Sequence, residues 1–251
     1  MVELDVRDAD AVLKLLRSVR PTVVHVPASA TNVDACEQDP ASARLVNVLG
    51  LSNLVRGSNE VGAKLVFYSS DYIWDGVEGP YGENEPASPV SEYGRQKVEG
   101  EHLVALQADS FLILRTTVVY GVEPQRKNFV IRLLGALEEG RSVRVPTDQV
   151  GSPTYAPGLA GAAVELATSD AGGVWHVAGP DLVSRFDLAR EAARCFGLNQ
   201  ALVEPVTTEE LEQPAKRPLH AGLRTDKLEA RLGRLEGYTD GLALMRAATR
   251  L

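Results

Sequence analysis

Cysteine and long apolar runs are both scarce in this sequence. The 251 residues contain two cysteines, Cys36 and Cys195, which are distant from each other and from any cluster of histidines. This spacing excludes a disulfide framework, argues against a zinc site or any other metal centre, and is typical of a reduced protein. No apolar stretch approaches the roughly 18 residues that a membrane helix needs, and no basic-then-apolar signal segment is visible. We therefore expect a cytoplasmic protein with no membrane partner.

Positive charge is also in deficit. The chain has 26 Lys and Arg against 34 Asp and Glu, for a formal net charge of −8. Such an acidic chain is poorly suited to non-specific binding of nucleic acid or anionic membrane. Anionic small molecules stay compatible with it, because a local basic pocket can lie in an acidic protein.

Short β-rich runs alternate with stretches of helical period, a pattern typical of a parallel sheet covered by helices. Strands are predicted at residues 22–26, 64–68, 111–115, 143–145 and 174–177. Helices are predicted to follow capping residues that include Asp8, Asp39, Ser184, Thr225 and Thr239. The pattern changes near Asn128. We predict a sheet domain over residues 1–127 and a smaller, mostly helical lobe over 128–251, with some later segments returning to the sheet.

Tyr93 and Lys97 form a chemically informative pair. They lie four residues apart on a predicted helix, so their side chains share one face. A phenol titrates near pH ~10, and a neighbouring ammonium lowers that pKa toward neutrality. Ser70 ends the preceding predicted strand and is placed to hydrogen-bond the carbonyl that Tyr93 protonates. The three groups suit hydride transfer to a ketone, with Lys97 tuning Tyr93 or contacting a ribose hydroxyl.

The same pair has a simpler explanation as a surface contact. A Y-x-x-x-K spacing arises by chance on the order of 0.2 times in a chain of this composition, so the spacing alone is weak evidence. The position of the pair, after a strand ending Ser69-Ser70 and before another apolar strand, favours catalysis.

Several motifs in order resemble the extended short-chain dehydrogenases of the dTDP-4-dehydrorhamnose reductase type. Residues 69–76 resemble S-[ST]-D-Y-V-F-D-G, and 93–97 match Y-G-x-x-K. Residues 114–121 match L-R-[TS]-x-x-V-Y-G, and 148–155 resemble D-Q-x-G-x-P-T-Y. Residues 217–228 resemble the R-P-x-x-S-x-L-x-x-x-K-L near the C-terminus of that family. The resemblance implies an α/β fold with a Rossmann-like, doubly wound parallel sheet and a small C-terminal substrate lobe.

The resemblance also implies roles for individual residues. It assigns catalysis to Ser70, Tyr93 and Lys97. It assigns contacts with NADP or NAD to Asp5, Val6, Ala28 and Ser29 together with Tyr93 and Lys97. It assigns contacts with the nucleotide-sugar to Asp71, Tyr72, Asn128, Gln149 and Arg217, where a guanidinium suits pyrophosphate. Two of these also have structural explanations, because Asp71 can cap a turn and Asn128 can cap the following helix. For Asn128 the sequence favours neither explanation.

The chain departs from the family pattern in three places. Val118 stands where the reductases often carry Trp against the sugar, and Pro27 interrupts an Ala-rich run against the cofactor. Asp8–Leu13 stands where a glycine-rich phosphate loop is sought. Leu4-Asp5-Val6 resembles the end of the third strand of the family, so the first strand, glycine-rich turn, first helix and second strand have no counterpart. We therefore expect an N-terminally incomplete Rossmann sheet with an exposed apolar edge and weak cofactor binding.

The sequence thus favours NAD(P)H-dependent reduction of a nucleotide-linked 4-keto-6-deoxysugar, in deoxysugar and cell-surface polysaccharide biosynthesis. Three explanations of the missing unit stay open: a start at an internal codon, a non-catalytic homologue like the β subunit of methionine adenosyltransferase, or a decayed gene. A sugar-nucleotide epimerase or dehydratase is a further alternative, although dehydratases tend to carry Thr-Asp-Glu where this chain has Ser70-Asp71-Tyr72. A homodimer is possible.

Overall fold

The computed structural model describes residues 2–249 as ten strands and ten α-helices. The strands are β1 (Val23–Val26), β2 (Lys64–Ser70), β3 (Phe111–Thr116), β4 (Val119–Tyr120), β5 (Val143–Pro146), β6 (Val150–Gly151), β7 (Thr154–Tyr155), β8 (Gly173–His176), β9 (Val183–Ser184) and β10 (Val203–Val206). The helices are α1 (Ala9–Val19), α2 (Val33–Gln38), α3 (Pro40–Arg44), α4 (Leu51–Val61), α5 (Glu92–Gln107), α6 (Phe129–Glu138), α7 (Ala156–Thr168), α8 (Arg185–Phe196), α9 (Asp226–Leu232) and α10 (Tyr238–Ala248).

The main sheet is parallel, with the strand order β1-β2-β3-β8. Successive side chains of a strand point to opposite faces, and both faces of this sheet are covered. Leu65, Phe67 and Ile113 pack under α1, α4 and α5. Val66, Leu112 and Leu114 pack on the other face, under α7 and α9. The predicted α/β fold with a doubly wound parallel sheet is confirmed.

A second core lies outside the main sheet. It is built from α6, α8, α10, β5 and β10, with Val130, Leu133, Leu188 and Leu242 fully buried. β5 and β10 pair with each other in a separate two-stranded sheet. Helix α7 and strand β8 also follow residue 128, but they pack on or join the main sheet. The division of the chain at residue 128 therefore stays a prediction.

The first described residues, from Val2 onward, form no strand. Leu4–Val6 lie before α1 in irregular structure, and β1 pairs with β2 alone among the described strands. Val6 packs instead against the helical segment that contains Gly50, and its carbonyl accepts a hydrogen bond from Asn53 at 3.0 Å. The segment that resembles the end of a third strand thus packs on the helical segment around Gly50 and Asn53.

Helix capping follows the sequence at some ends and departs from it at others. Asp8 accepts backbone hydrogen bonds from the first turn of α1, and Ser184 accepts one from Asp187 at the start of α8, as predicted. The predicted cap at Thr239 is wrong, because α10 begins at Tyr238 and the carboxylate of Asp181 accepts the hydrogen bond of the Tyr238 amide. Thr225 precedes α9, but its hydroxyl donates to Glu229 and caps no backbone group.

The long helix predicted after Asp39 is present, but a π-helical segment over Leu45–Gly50 interrupts it between α3 and α4. Asn47 lies in this segment and is 5% exposed. Its side-chain oxygen accepts hydrogen bonds from the Ser29 hydroxyl and the Ala30 amide, and its nitrogen donates to Gln96 on α5. The segment therefore joins the loop after β1 to the helix that carries Tyr93 and Lys97.

Two properties of the described residues concern membranes and metals. None of the helices within 2–249 has the length and apolar content needed to cross a membrane. The same residues contain no group of three or more His, Cys, Asp or Glu side chains placed to hold a metal ion.

Candidate active site

The predicted catalytic residues meet at the carboxyl end of the main sheet. Ser70 is the last residue of β2, and α5 presents Tyr93 and Lys97 on its buried face. A Cβ atom at Gly94 would lie 2.1 Å from the carbonyl oxygen of Tyr72, so only glycine allows α5 to approach this closely. The spacing Y-G-x-x-K thus combines two groups of one helical face with the glycine that brings that face to Ser70.

Burial dominates the electrostatics of Tyr93. The residue is 8% exposed, and desolvation raises the pKa of its phenol well above the usual range, with Asp71 acting in the same direction and Ser70 in the opposite one. The sequence led us to expect a lowered pKa, and the structure shows the reverse. A buried phenol loses more by desolvation of its anion than it gains from a nearby cation. Tyr93 is accordingly protonated at neutral pH.

Lys97 is buried against Tyr93 and the sheet. Its ammonium lies 5.6 Å from the centre of the Tyr93 ring and donates a 2.8 Å hydrogen bond to the carbonyl oxygen of Tyr68. Desolvation lowers the pKa of Lys97 to about 8, while Glu101 acts to raise it. An ammonium has three donors, so Lys97 keeps donors for a ligand beside Tyr93.

Asp71 holds two hydroxyls of the site in place. Its carboxylate accepts a hydrogen bond from Ser70 at 2.9 Å and one from Thr117 at 2.5 Å. The residue is 5% exposed, and desolvation raises the pKa of Asp71 to about 6 against the opposing effect of these two hydrogen bonds. Thr117 follows β3, so this carboxylate connects the ends of two neighbouring strands.

A cleft opens beside these groups, between the main sheet and the second core. Its lining residues come from the ends of β2 and β3, the β6 region, the start of α8 and the segment near Pro218: Asp71, Tyr72, Val118, Gln149, Val150, Gly151, Pro153, Val183, Ser184, Arg185, Leu188 and Pro218. Three predicted substrate residues, Asp71, Tyr72 and Gln149, therefore share one cleft. The Tyr72 ring meets the Tyr93 ring edge-on at 5.6 Å, which connects the cleft to the catalytic group.

The other two predicted substrate residues, Asn128 and Arg217, are not among the lining residues, although Arg217 precedes Pro218, which is. Asn128 caps α6 by accepting a hydrogen bond from the Ile131 amide, and its nitrogen donates to the carbonyl of Gly121. Arg217 is buried in an ion pair with Asp34 at 2.8 Å and donates to the carbonyl of Ala215. The side chains of both residues are thus already engaged within the protein.

The predicted cofactor residues are dispersed in the structure. Asp5 forms an exposed ion pair with Arg7, which lowers the pKa of the Asp5 carboxyl to about 2. Val6 is half-buried, and Ala28 is exposed at the carboxyl end of β1. Ser29 donates to Asn47 at 2.8 Å and lies on the same edge of the sheet as Ser70. Of these four, the Ala28–Ser29 loop is the part nearest in topology to the catalytic residues.

Phosphate-binding geometry is not found at the start of α1. Its N-terminus is capped by Asp8 and followed by Asp10, and two carboxylates at a helix N-terminus oppose an anionic ligand. The letters G-x-x-G-x-x-G do occur at residues 76–82, but there the glycines pack closely on Pro218 and on the carbonyl of His220, and no α-helix follows directly. Their role is close packing.

A buried ion pair that the sequence analysis missed joins α5, the helix that carries Tyr93 and Lys97, to the main sheet. Glu101 accepts two hydrogen bonds from Arg115 on β3, at 2.9 and 2.7 Å, and one from Ser69 on β2 at 2.5 Å. Both side chains of the pair are about 10% exposed or less. Glu101 is four residues after Lys97, and this continuation of the 93–97 spacing is the signal that would have indicated it.

Two further residues line the cleft: Val118, which stands where the reductases often carry Trp against the sugar, and Arg185, which no motif assigned to a site. Val118 has a φ of +44°, in the left-handed region that β-branched residues avoid. Thr117 and the strand β4 lie on either side of it, so this strained residue turns the chain between the hydroxyl that binds Asp71 and the wall of the second core. Arg185 is the first residue of α8, where a basic side chain is unfavourable.

The comparisons with known proteins agree with this geometry. The sequence model of the family described as RmlD substrate binding domain matches residues 1–250. The chain belongs to this family. The resemblance to the dTDP-4-dehydrorhamnose reductases is thereby confirmed. Among relatives, a probable low-salt glycan biosynthesis reductase of Haloferax volcanii is 31% identical over 251 residues, covering 98% of this chain and 84% of the relative.

Two further similar proteins are named dTDP-4-dehydrorhamnose reductase. A dTDP-4-dehydrorhamnose reductase of Burkholderia thailandensis is 32% identical over 248 residues, covering 92% of this chain and 83% of the relative. The crystal structure of the dTDP-4-dehydrorhamnose reductase of Bacillus anthracis, in complex with NADP, is 29% identical with a TM-score of 0.92. That likeness covers 98% of this chain and 87% of the other, so nearly all described elements have counterparts.

Proposed function

We propose that this chain is an NAD(P)H-dependent reductase of a nucleotide-linked 4-keto-6-deoxysugar, acting in deoxysugar biosynthesis. The observation that carries the proposal is the meeting of Ser70, Tyr93 and Lys97 at one edge of the sheet, beside the cleft lined by Asp71, Tyr72 and Gln149. Membership of the RmlD substrate binding domain family supports it, since relatives at 31–32% identity are named as reductases.

The proton chemistry follows from the state of Tyr93. When bound, the reduced nicotinamide supplies a hydride to the carbonyl carbon of the sugar. Tyr93 is protonated at neutral pH, and its phenol gives that proton to the carbonyl oxygen as negative charge develops there. Because a sugar alkoxide is more basic than a phenolate, the transfer stays favourable even from a phenol whose pKa burial has raised.

Ser70 acts on the same oxygen. Its hydroxyl donates to Asp71 in the structure, so a substrate carbonyl competes with Asp71 for that proton. Asp71 then keeps the Thr117 hydrogen bond and holds its place. The hydrogen bond from Ser70 to the substrate oxygen is stronger in the transition state than in the ketone, because the oxygen carries more negative charge there.

The residues fit one end of the cofactor. Lys97 has free donors beside Tyr93, which suit the hydroxyls of the nicotinamide ribose, and the Ala28–Ser29 loop lies on the same edge. No comparable fit to the cofactor phosphates exists at the start of α1, where carboxylates occupy the helix end. We propose NADPH as the preferred donor, because the Bacillus anthracis relative is a complex with NADP.

The test is whether the chain reduces dTDP-4-dehydrorhamnose at millimolar NADPH. The reaction is monitored by the loss of NADPH absorbance and by chromatography of the nucleotide-sugar. We expect turnover by the wild type and a loss of about 10²–10⁴-fold in kcat for Tyr93→Phe, which removes the proton donor. Tyr155→Phe removes the hydroxyl of another buried tyrosine outside the cleft and serves as the matched control. Absence of NADPH oxidation with any 4-keto nucleotide-sugar, or full activity of Tyr93→Phe, would overturn the proposal.

A further inference from the structure

We infer that Arg185 binds the diphosphate of the nucleotide-sugar, the role that the sequence motifs assign to Arg217. The inference rests on the proposed function, because it names how the substrate of that reaction is held. It begins from the charges of the cleft. Among the lining residues, Arg185 is the one cation and Asp71 the one anion.

The guanidinium of Arg185 has no acidic partner in the described part of the chain. Within residues 2–249 it forms no salt bridge, and its side chain makes no hydrogen bond. The central carbon of the guanidinium, Cζ, lies 5.0 Å from the centre of the Phe129 ring. The ring covers one face of the planar group and leaves its N–H edges open. The backbone amide of Arg185 donates to the carbonyl of Gln149, which fixes the start of α8 against the cleft wall.

Arg217 is in the opposite state. One arm of its guanidinium donates to Asp34 and the other to the carbonyl of Ala215, and the side chain is 7% exposed. Asp34 also accepts a hydrogen bond from the Ala215 amide, so the ion pair closes a loop that joins α2 to the C-terminal segment. Binding of a diphosphate by these donors of Arg217 would cost the ion pair with Asp34, whereas Arg185 has no such contact to lose.

The position of Arg185 in its helix supports a ligand. A cation in the first turn meets the positive end of the helix dipole, so Arg185 is unfavourably placed unless a negative charge lies nearby. Its charge acts to lower the pKa of both Asp71 and Tyr72, whereas Arg217 acts in this way on Tyr72. A 4-keto-6-deoxysugar is neutral, and the diphosphate on its anomeric carbon is the adjacent anion. A planar guanidinium binds such a group through two parallel hydrogen bonds.

Calorimetric titration with dTDP, dTMP and thymidine tests the inference without requiring any turnover. We expect Arg185→Gln to weaken dTDP binding by about 10- to 100-fold, as for loss of charged hydrogen bonds. Thymidine, which has no phosphate, should bind this variant and the wild type equally. Arg185→Lys keeps the charge but loses the two parallel donors of the guanidinium, so its affinity for dTDP should lie between those of the wild type and Arg185→Gln.

Arg190→Gln is the matched control. Arg190 is on the same helix, lies against an aromatic ring as Arg185 does, and is exposed outside the cleft, so dTDP should bind this variant as it binds the wild type. Thermal melts of each variant check that the cleft is folded.

Three results would overturn the inference: wild-type affinity for dTDP in Arg185→Gln, equal weakening of dTDP and thymidine, or no dTDP binding by the wild type. Unchanged dTDP affinity with weakened binding of a nucleotide-linked uronic acid would assign Arg185 to a sugar carboxylate instead. Failure of the wild type to reduce any substrate, with Arg185-dependent dTDP binding intact, would refute the proposed reaction alone.

Discussion

The two sides of the candidate active site, the end of the main sheet beside the cleft and the second core opposite it, differ in how far their charged groups are already paired. On the sheet side, Ser70 and Lys97 each donate to a protein acceptor, and Glu101 beneath them accepts three hydrogen bonds. On the side of the second core, Gln149 and Ser184 are also hydrogen-bonded within the protein, but the side chain of Arg185 has no hydrogen bond or ion pair within residues 2–249. The difference indicates a division of labour. Groups that must be held in position for chemistry are fixed by the protein, and the charge that selects an anionic ligand is left open for it.

A substitution in the buried ion pair on the sheet side should have the largest effect on stability. Glu101→Ala leaves Arg115 buried without its carboxylate, and loss of one partner of a buried pair destabilises by about 3–5 kcal/mol. The free energy of unfolding in urea measures this effect. The control is Glu139→Ala, which removes an exposed ion pair with Arg141 and should change stability by less than about 0.5 kcal/mol. Equal losses in the two variants would contradict the description of Glu101 and Arg115 as a buried pair that holds the sheet side of the site in position.

A pH dependence of stability should follow from Asp71. Its pKa is raised from 3.8 to about 6, so the folded protein binds this proton more tightly than the unfolded chain. The contribution of Asp71 to stability therefore falls as pH rises from about 4 to about 6, by about 2–3 kcal/mol in total. Asp71→Asn should remove this dependence, and the variant should gain on the wild type as pH rises through that range.

Urea unfolding of both proteins across the range measures the difference. Because every other titrating group is common to the two, subtraction isolates Asp71. A constant difference between wild type and Asp71→Asn at all pH values would show that the carboxyl is not held in the desolvated state that the structure describes.

The smallest expected effect concerns Asn128, which lies outside the cleft lining. Asn128→Ala removes the cap of α6 and should lower stability by about 1 kcal/mol, while Asn128→Ser keeps a capping oxygen and should lose less. The KM for the nucleotide-sugar should be the same in both variants and the wild type. A tenfold rise in KM for Asn128→Ala alone would restore it as a substrate ligand.

The sequence predicted the features that depend on neighbours along the chain. The caps at Asp8 and Ser184, the buried strands and the shared face of Tyr93 and Lys97 are local, and the structure has them. The cap of α10 could not be predicted in this way, because Asp181 supplies it from 57 residues away. Arg217 seemed available to a ligand for the same reason: its partner Asp34 is 183 residues distant.

The electrostatics of Tyr93 shows a further reason why part of the site escaped prediction. Spacing places Lys97 near the phenol, but only packing reveals that burial and Asp71 set the direction of the pKa. Asp71 itself gains its raised pKa from enclosure between two strand ends. Such effects depend on how much water is excluded, and no local pattern in the chain encodes that amount.

The π-helical segment over Leu45–Gly50 also makes this stretch sensitive to chain length. A π turn adds one residue to the helical ladder, so deleting one residue there would rotate α4 by about 100° relative to α3. Leu51 and Leu54 would leave the core, or Asn47 would turn away from Ala30 and Gln96. The added residue therefore allows Leu51 and Leu54 to lie in the core while Asn47 keeps its hydrogen bonds. The π-helical segment thus fixes the rotation of α4 relative to the loop after β1.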